Sequence, residues 1–124
     1  MEIVKYQLDD GKIPFDLWLR GLRDARAKAR ILVRLKRMEM GNVGDSKPVG
    51  EGVNELRITE GKGDRVYYGR KGNEAFIVLS GGNNSSQQND IRVQRKTGET
   101  TVKTAKYNTS DYLETPEEVA LYIE

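Results

Sequence analysis

Apolar and polar positions alternate most regularly between Gly50 and Arg70, in the segment GEGVNELRITEGKGDRVYYGR. Alternation puts Leu56 and Ile58 on one face and Glu55, Arg57 and Thr59 on the other, and the next strand sets Val66 and Tyr68 against Arg65 and Tyr67. Gly61 and Gly63 supply a turn, so a β-hairpin is predicted whose polar face carries two arginines and a tyrosine. Pairing residue 59 with residue 65 sets Arg57 opposite Tyr67 and Thr59 opposite Arg65, close enough to act on one bound group.

Upstream, EIVKYQL at 2–8 reads as a strand ended by Asp9, Asp10 and Gly11. Pro14 opens a short amphipathic helix over 14–22, with Phe15, Trp18, Leu19 and Leu22 at helical spacing and Trp18 assigned to the core. Asp24 is the N-cap of a second helix running to Met40 and stopping at Gly41. A glycine-rich connection containing Lys47 and Pro48 leads to the hairpin, and EAFIVLS at 74–80 is apolar enough for the middle of a sheet. The predicted order is β, α, α, β, β, β. Residues 81–90, GGNNSSQQND, form a polar loop, with Ile91 and Val93 continuing weakly beyond it.

TGETT at 97–101 reads as a linker between a domain of residues 1–96 and a tail of residues 97–124. In that tail Thr115, Pro116 and Glu118 write a capping box for a helix of about nine residues, too short to stand alone, so it docks on something.

The chain of 124 residues, 36% apolar and 32% charged, can build one small core. It has no apolar run of membrane-spanning length and no signal peptide, so a soluble, cytoplasmic protein is expected. Without cysteine or histidine there are no disulfides, thiolate or imidazole metal sites, thiol nucleophiles or imidazole bases, and any chemistry falls to Arg, Lys, Tyr or carboxylates; neither metal nor cofactor is expected.

The formal charge of +2 conceals an asymmetry: residues 1–96 hold 19 Lys and Arg against 13 Asp and Glu, and residues 97–124 hold 2 against 6. A basic body and an acidic tail suggest a nucleic-acid-binding surface and a segment able to lie over it, although an acidic helix that simply ends a basic domain has the same composition. On the second helix Arg23, Arg26, Arg30, Arg34 and Arg37 fall within an arc of about 80°, with Ile31, Leu35 and Met38 on another. Such a stripe is either a solvated face or a phosphate-binding one. Val33 near the arginines and Lys28 near the apolar stripe break the pattern.

The segment FDLWLRGLRDARAKARILVRLKRMEMGNVGDSKPVGEGVNELRI, followed by GKGDRVYY and the GG that closes the apolar strand, resembles the phage-derived HigB-like toxins of the RelE/ParE superfamily. The likeness covers residues 13 to about 91 and implies a compact α+β, RelE-like fold of two helices packed on an antiparallel sheet. It also implies a toxin of a type II toxin-antitoxin system, an mRNA endonuclease working within the ribosome. Arg57 and Arg65 match the basic residues associated with RNA binding and cleavage, where guanidinium groups stabilise the phosphorane formed when a 2′-hydroxyl attacks its neighbouring phosphate. The general base falls to Tyr67 or Lys71, given a pKa lowered by neighbouring arginines. The arginine stripe, Lys47 and Arg70 complete the expected RNA-binding set. A plainer reading of Arg57 and Arg65 is an exposed ladder paired with Glu55 or Glu60.

Three positions, at two places in the chain, depart from the family pattern. Asn83 and Asn84 replace an acidic and then a basic residue, and Asp64 replaces an aromatic. Asparagine supplies neither positive charge nor a suitable proton donor, and Asp64 adds a negative charge beside Arg65, which points to a competing reading, a catalytically inactive binding module. Relatives sharing the fold inhibit DNA gyrase, a third reading. The tail, TVKTAKYNTSDYLETPEEVALYIE, is similar to the beginning of the antitoxins paired with such toxins. Its acidic helix, Tyr107, Tyr112 and Leu113 are expected to dock on the body and mask it, within one chain or by exchange in a homodimer.

Overall fold

Helix boundaries follow from local chemistry. A computed structural model describes residues 1–58, 63–82 and 103–123. Helix α1, Pro14–Arg20, has proline in its first turn and ends at Gly21. Helix α2, Ala25–Glu39, is capped by Asp24, whose carboxylate accepts from the N–H groups of Arg26 at 3.0 Å and Ala27 at 3.2 Å. These are two of the donors that a helix start leaves without an intrahelical partner. Beyond its C-terminus, Gly41 takes φ +95°, a left-handed conformation that glycine adopts without a Cβ clash. The α2 face carrying Ile31, Leu35 and Met38 is fully buried, as its spacing predicts.

The strands are β1 (Glu2–Gln7), β2 (Ser46–Gly50), β3 (Val53–Arg57), β4 (Arg65–Lys71), β5 (Ala75–Gly82) and β6 (Lys103–Lys106). They form one sheet in the order β2-β3-β4-β5-β1-β6. The fold is α+β, but the sheet is mixed rather than antiparallel, because β1 pairs with β5 in parallel. A tight hairpin would force antiparallel pairing; β1 is joined to the rest of the sheet through two helices, so its direction is set by packing.

Two strands were not expected. Pro48 and the surrounding glycines suggest a connection, yet Ser46–Gly50 pairs with β3 as an edge strand, interrupted by a register shift after Pro48. An edge tolerates proline because one side of the strand needs no N–H donor. Strand β6 pairs antiparallel with β1 through Val4–Lys106 to Gln7–Lys103. A four-residue KTAK segment has no period of its own, so only its neighbour makes it a strand.

The main core lies between one sheet face and the helices, and includes Ile3, Phe15, Leu19, Ile31, Leu35, Leu56, Val66, Tyr68, Phe76 and Val78. Trp18 packs on this core and lies over Gly81, where an added Cβ would run into the indole ring. On the opposite face Val53, Tyr67 and Leu79 form a smaller cluster. The tail joins the main core: Tyr107 and Tyr112 are buried in it and Leu113 packs against it. A 3-10 helix spans Thr109–Tyr112, and helix α3 runs over Pro116–Ile123. The capping box forms reciprocally, with the Glu118 N–H donating to Thr115 Oγ1 at 3.1 Å and the Thr115 N–H to Glu118 Oε1 at 3.2 Å.

The expected linker, the boundary between residues 96 and 97, Thr59, Glu60, Gly61, Asn83, Asn84, Ile91 and Val93 lie outside the described residues. Among the described residues no helix is long and apolar enough to cross a membrane.

Candidate nucleic-acid interface

Strands β3 and β4 place Arg57 and Arg65 directly opposite each other. The expected register is therefore two residues out: Arg57 faces Arg65, and Glu55 rather than Arg57 faces Tyr67. The face assignments survive, since a shift of two leaves every side chain on its own side. The ladder ends at the Arg57–Arg65 pair, and one further bond, from the Ile58 N–H to the Asp64 carbonyl at 2.9 Å, closes the loop base.

Two guanidinium groups at directly opposed positions repel unless an anion lies between them. Glu55, wholly buried, supplies that anion. Its Oε1 is 3.1 Å from Arg57 Nε and its Oε2 3.4 Å from Arg65 Nε. The arginines are not a solvent-exposed ladder, because the Glu55 side chain is 0% and the Arg65 side chain 16% exposed, leaving Arg57, at 38%, as the more open of the two. Register extends this face sideways as two rows: Lys47, Glu55, Tyr67 and Ser80 run across β2, β3, β4 and β5, and Arg57, Arg65 and Gly82 run beside them. The result is a basic sheet face on the side away from the helices.

The other expected site residues are distributed differently. Tyr67 is on the same face as Arg65 but is 0% exposed. Lys71 is at the far end of β4, paired with Ala75, about 20 Å along the strand from Arg65. It cannot share a bound phosphate with the arginine pair. Arg70 turns back over the Phe76 ring at 5.3 Å, beside Met1. Asp64 is buried.

Of the α2 stripe, Arg26, Arg30 and Arg37 are exposed on the helix, and Arg23 is exposed just ahead of it. Arg34 is a structural clamp: it donates to the carbonyls of Arg57 at 2.6 Å, Val43 at 3.3 Å and Asp45 at 3.2 Å. Burial pulls its guanidinium below the ordinary arginine value, with Asp45 opposing that shift. Arg34 thus holds the end of β3, where Arg57 sits, and does not offer a phosphate site.

The described tail is placed away from this face. Lys5 donates to both Asp16 oxygens at 3.1 Å and to the Tyr112 hydroxyl at 2.8 Å, and that hydroxyl donates to Asp16. Arg20 sits 5.4 Å from the Tyr112 ring centre and Phe15 meets the ring edge-on at 5.9 Å. Burial, with the Asp16 hydrogen bond second, pushes the Tyr112 phenol up, and burial does the same to Tyr107. On α3, Glu118 Oε2 accepts a hydrogen bond from buried Lys28, a bond that holds its carboxyl below the ordinary range. A cleft of about 350 Å³ between the tail and the end of α2 is lined by residues including Lys36, Glu39, Tyr107 and Tyr122, away from the arginine pair. Among the described residues, no hydrogen bond or ion pair joins residues 103–123 to Arg57 or Arg65.

Sequence reasoning missed Glu55 as a buried bridge, Asp16 and Lys5 as partners of Tyr112, and Lys28 as the partner of Glu118. The detectable signals are Lys28, a cation on the apolar stripe of α2, and Glu55, an acid two residues before Arg57 on the same strand face. Among the described residues no cluster of three or more carboxylates is arranged to hold a metal ion.

An uncharacterized protein of Haemophilus influenzae is 48% identical to this chain over 80 residues, which are 64% of this chain and 81% of that protein. No protein-family model matches the chain, and no solved structure does.

Proposed function

This chain belongs to the same family as that Haemophilus influenzae protein, and we propose that it is a RelE/HigB-like toxin body that acts on mRNA, on the ribosome, through the sheet face carrying Arg57 and Arg65. The observation that carries the reading is the directly opposed arginine pair held by one buried carboxylate. Glu55 takes hold of each guanidinium by its Nε side, which orients both on rigid strands. Fixed guanidinium groups of this kind can receive the charge that builds on phosphorane oxygens when a 2′-hydroxyl attacks, and such donors are each worth about 3 kcal/mol of barrier. Lys47, in register with Glu55, extends the positive charge along the path a backbone would follow.

In this reading the tail is an antidote-like segment. Its described part docks on the helix side and at the β1 edge.

A second reading, an RNA-binding module without cleavage, is favoured by the burial of Tyr67 and the distance of Lys71, which leave the arginine pair without a reachable base from the expected set. One experiment separates the two. Full-length protein and its R57A and R65A variants are added to a cell-free translation reaction, with mRNA ends mapped by primer extension and RNA affinity measured in parallel. Cleavage lost in both variants supports the nuclease. Arginine-dependent binding without cleavage supports the module, and cleavage and RNA binding both unchanged in the two variants overturn each reading.

A further inference from the structure

Beyond the arginine pair, the helix-free side of the sheet continues across β5 and β1 to the edge strand β6. Ile3 and Lys5 point to the helices, the first into the main core and the second onto Asp16 of α1, so alternation turns Val4 and Tyr6 to the other side. The parallel register that sets Lys5 beside Val78 brings Tyr6 level with Leu79, the residue that the register shift in β5 leaves over next to Ser80. Tyr6 in turn pairs with Thr104, and Val4 with Lys106. The row of Lys47, Glu55, Tyr67 and Ser80 therefore runs on through Tyr6 to Thr104, with Lys106 one row away.

The two tyrosines of that row differ in access. Tyr67 is 0% exposed, whereas Tyr6 packs against the cluster of Val53, Tyr67 and Leu79 and is only partly buried. Lys47 and Lys106, on the two edge strands, are exposed and form no ion pair among the described residues. Two strand spacings separate Arg65 from Tyr6 and three separate it from Lys106, which puts that lysine about 20 Å from Arg65 on the diagonal of the sheet. Cations spaced along a sheet, with an accessible aromatic ring between them, suit a single strand of nucleic acid, whose backbone follows the charges while an unpaired base stacks on the ring. A duplex keeps its bases stacked on one another and would leave Tyr6 unused.

We propose that Tyr6 is a base-stacking residue and Lys106 a phosphate contact for single-stranded RNA held at Arg57 and Arg65, so that β6 contributes a cation to the binding surface. This rests on the arginine face being the one that binds RNA.

The test measures binding of the full-length protein to a short 2′-O-methyl oligoribonucleotide, which cannot undergo 2′-hydroxyl attack, and to an abasic analogue of the same length. Tyr6→Leu keeps apolar bulk against Leu79 but has no ring, and Tyr6→Phe keeps the ring. Tyr6→Leu is expected to weaken binding of the full oligonucleotide about tenfold, Tyr6→Phe to stay within about twofold of wild type, and the abasic analogue to bind all three proteins equally. Lys106→Gln should lower the slope of log affinity against log salt by about 0.7, the value for one phosphate of a single strand. Binding that is lost in Arg57→Ala but unchanged in Tyr6→Leu overturns the proposal and leaves the arginine reading standing. Binding weakened in Tyr6→Leu but unchanged in Arg57→Ala supports Tyr6 as the stacking residue and overturns the arginine reading. Equal weakening of the full and abasic oligonucleotides in Tyr6→Leu assigns Tyr6 a structural role and overturns the proposal as well.

Discussion

Glu118 Oε2 lies 2.8 Å from Lys28 Nζ, joining helix α3 to helix α2 across 90 positions of sequence. The same carboxylate uses its other oxygen to cap its own helix, accepting from the N–H groups of Glu114 and Thr115. One side chain therefore starts a helix and docks it. Lys28, which breaks the apolar stripe of α2, is buried because this acid answers it.

Acid should loosen the tail. The Glu118 carboxyl is lower in the folded protein than in the unfolded chain, so its contribution is present above the ordinary glutamate value of about 4.3 and is lost as pH falls through the lowered folded value. Thermal melts at neutral and acidic pH should show this loss in wild type and less of it in E118Q. At neutral pH E118Q should itself be less stable by about 1–3 kcal/mol, since Lys28 is left buried without its charge partner.

Base should loosen the tail as well, by the opposite route. Tyr107 and Tyr112 are raised above the ordinary tyrosine value of about 10, so their contribution is complete below that pH and is lost as pH rises toward the folded values. Tyrosinate absorbance followed with near-ultraviolet circular dichroism should show ionisation together with loss of tail packing, and Y112F should reduce the coupled change.

Arg34 should matter for stability more than its neighbours on the stripe. R34A leaves three carbonyl groups without their guanidinium partner and should cost about 2–4 kcal/mol in denaturant unfolding. R34K restores charge but not the fork, and should recover only part of this. R26A and R37A, at exposed positions, should stay within about 0.5 kcal/mol of wild type. If the exposed stripe contacts RNA, these two changes should instead lessen the salt dependence of binding.

Removing Glu55 should damage the fold and the arginine face together. E55A leaves two arginines opposed without their shared anion, at a cost of about 3–5 kcal/mol by chemical denaturation. The E55A/R65A double variant should recover part of that loss, because one of the two repelling charges is gone.

Gly81 should tolerate no side chain. G81A drives a methyl group into the Trp18 ring and should cost about 3 kcal/mol, with a shifted tryptophan emission spectrum as the local readout.

Signals that act over a few residues could be read from the chain alone. The Asp24 cap, the stop at Gly41, the Thr115–Glu118 capping box and the alternation that puts Arg57 and Arg65 on one sheet face each depend on neighbours within a turn or a strand, and short-range sterics and hydrogen bonding suffice to specify them. Folding in three dimensions settled whatever depends on a distant partner. Whether Ser46–Gly50 and Lys103–Lys106 become strands depends on the edges they meet, and the direction of β1 on how two helices pack. The register that brings Arg57 to Arg65 depends on the width of the loop between them. Buried charges belong mostly to this second kind: Lys5 and Lys28 are compensated in the interior by Asp16 and Glu118 from other elements, and Glu55 gains Arg65 from across the hairpin beside its strand neighbour Arg57.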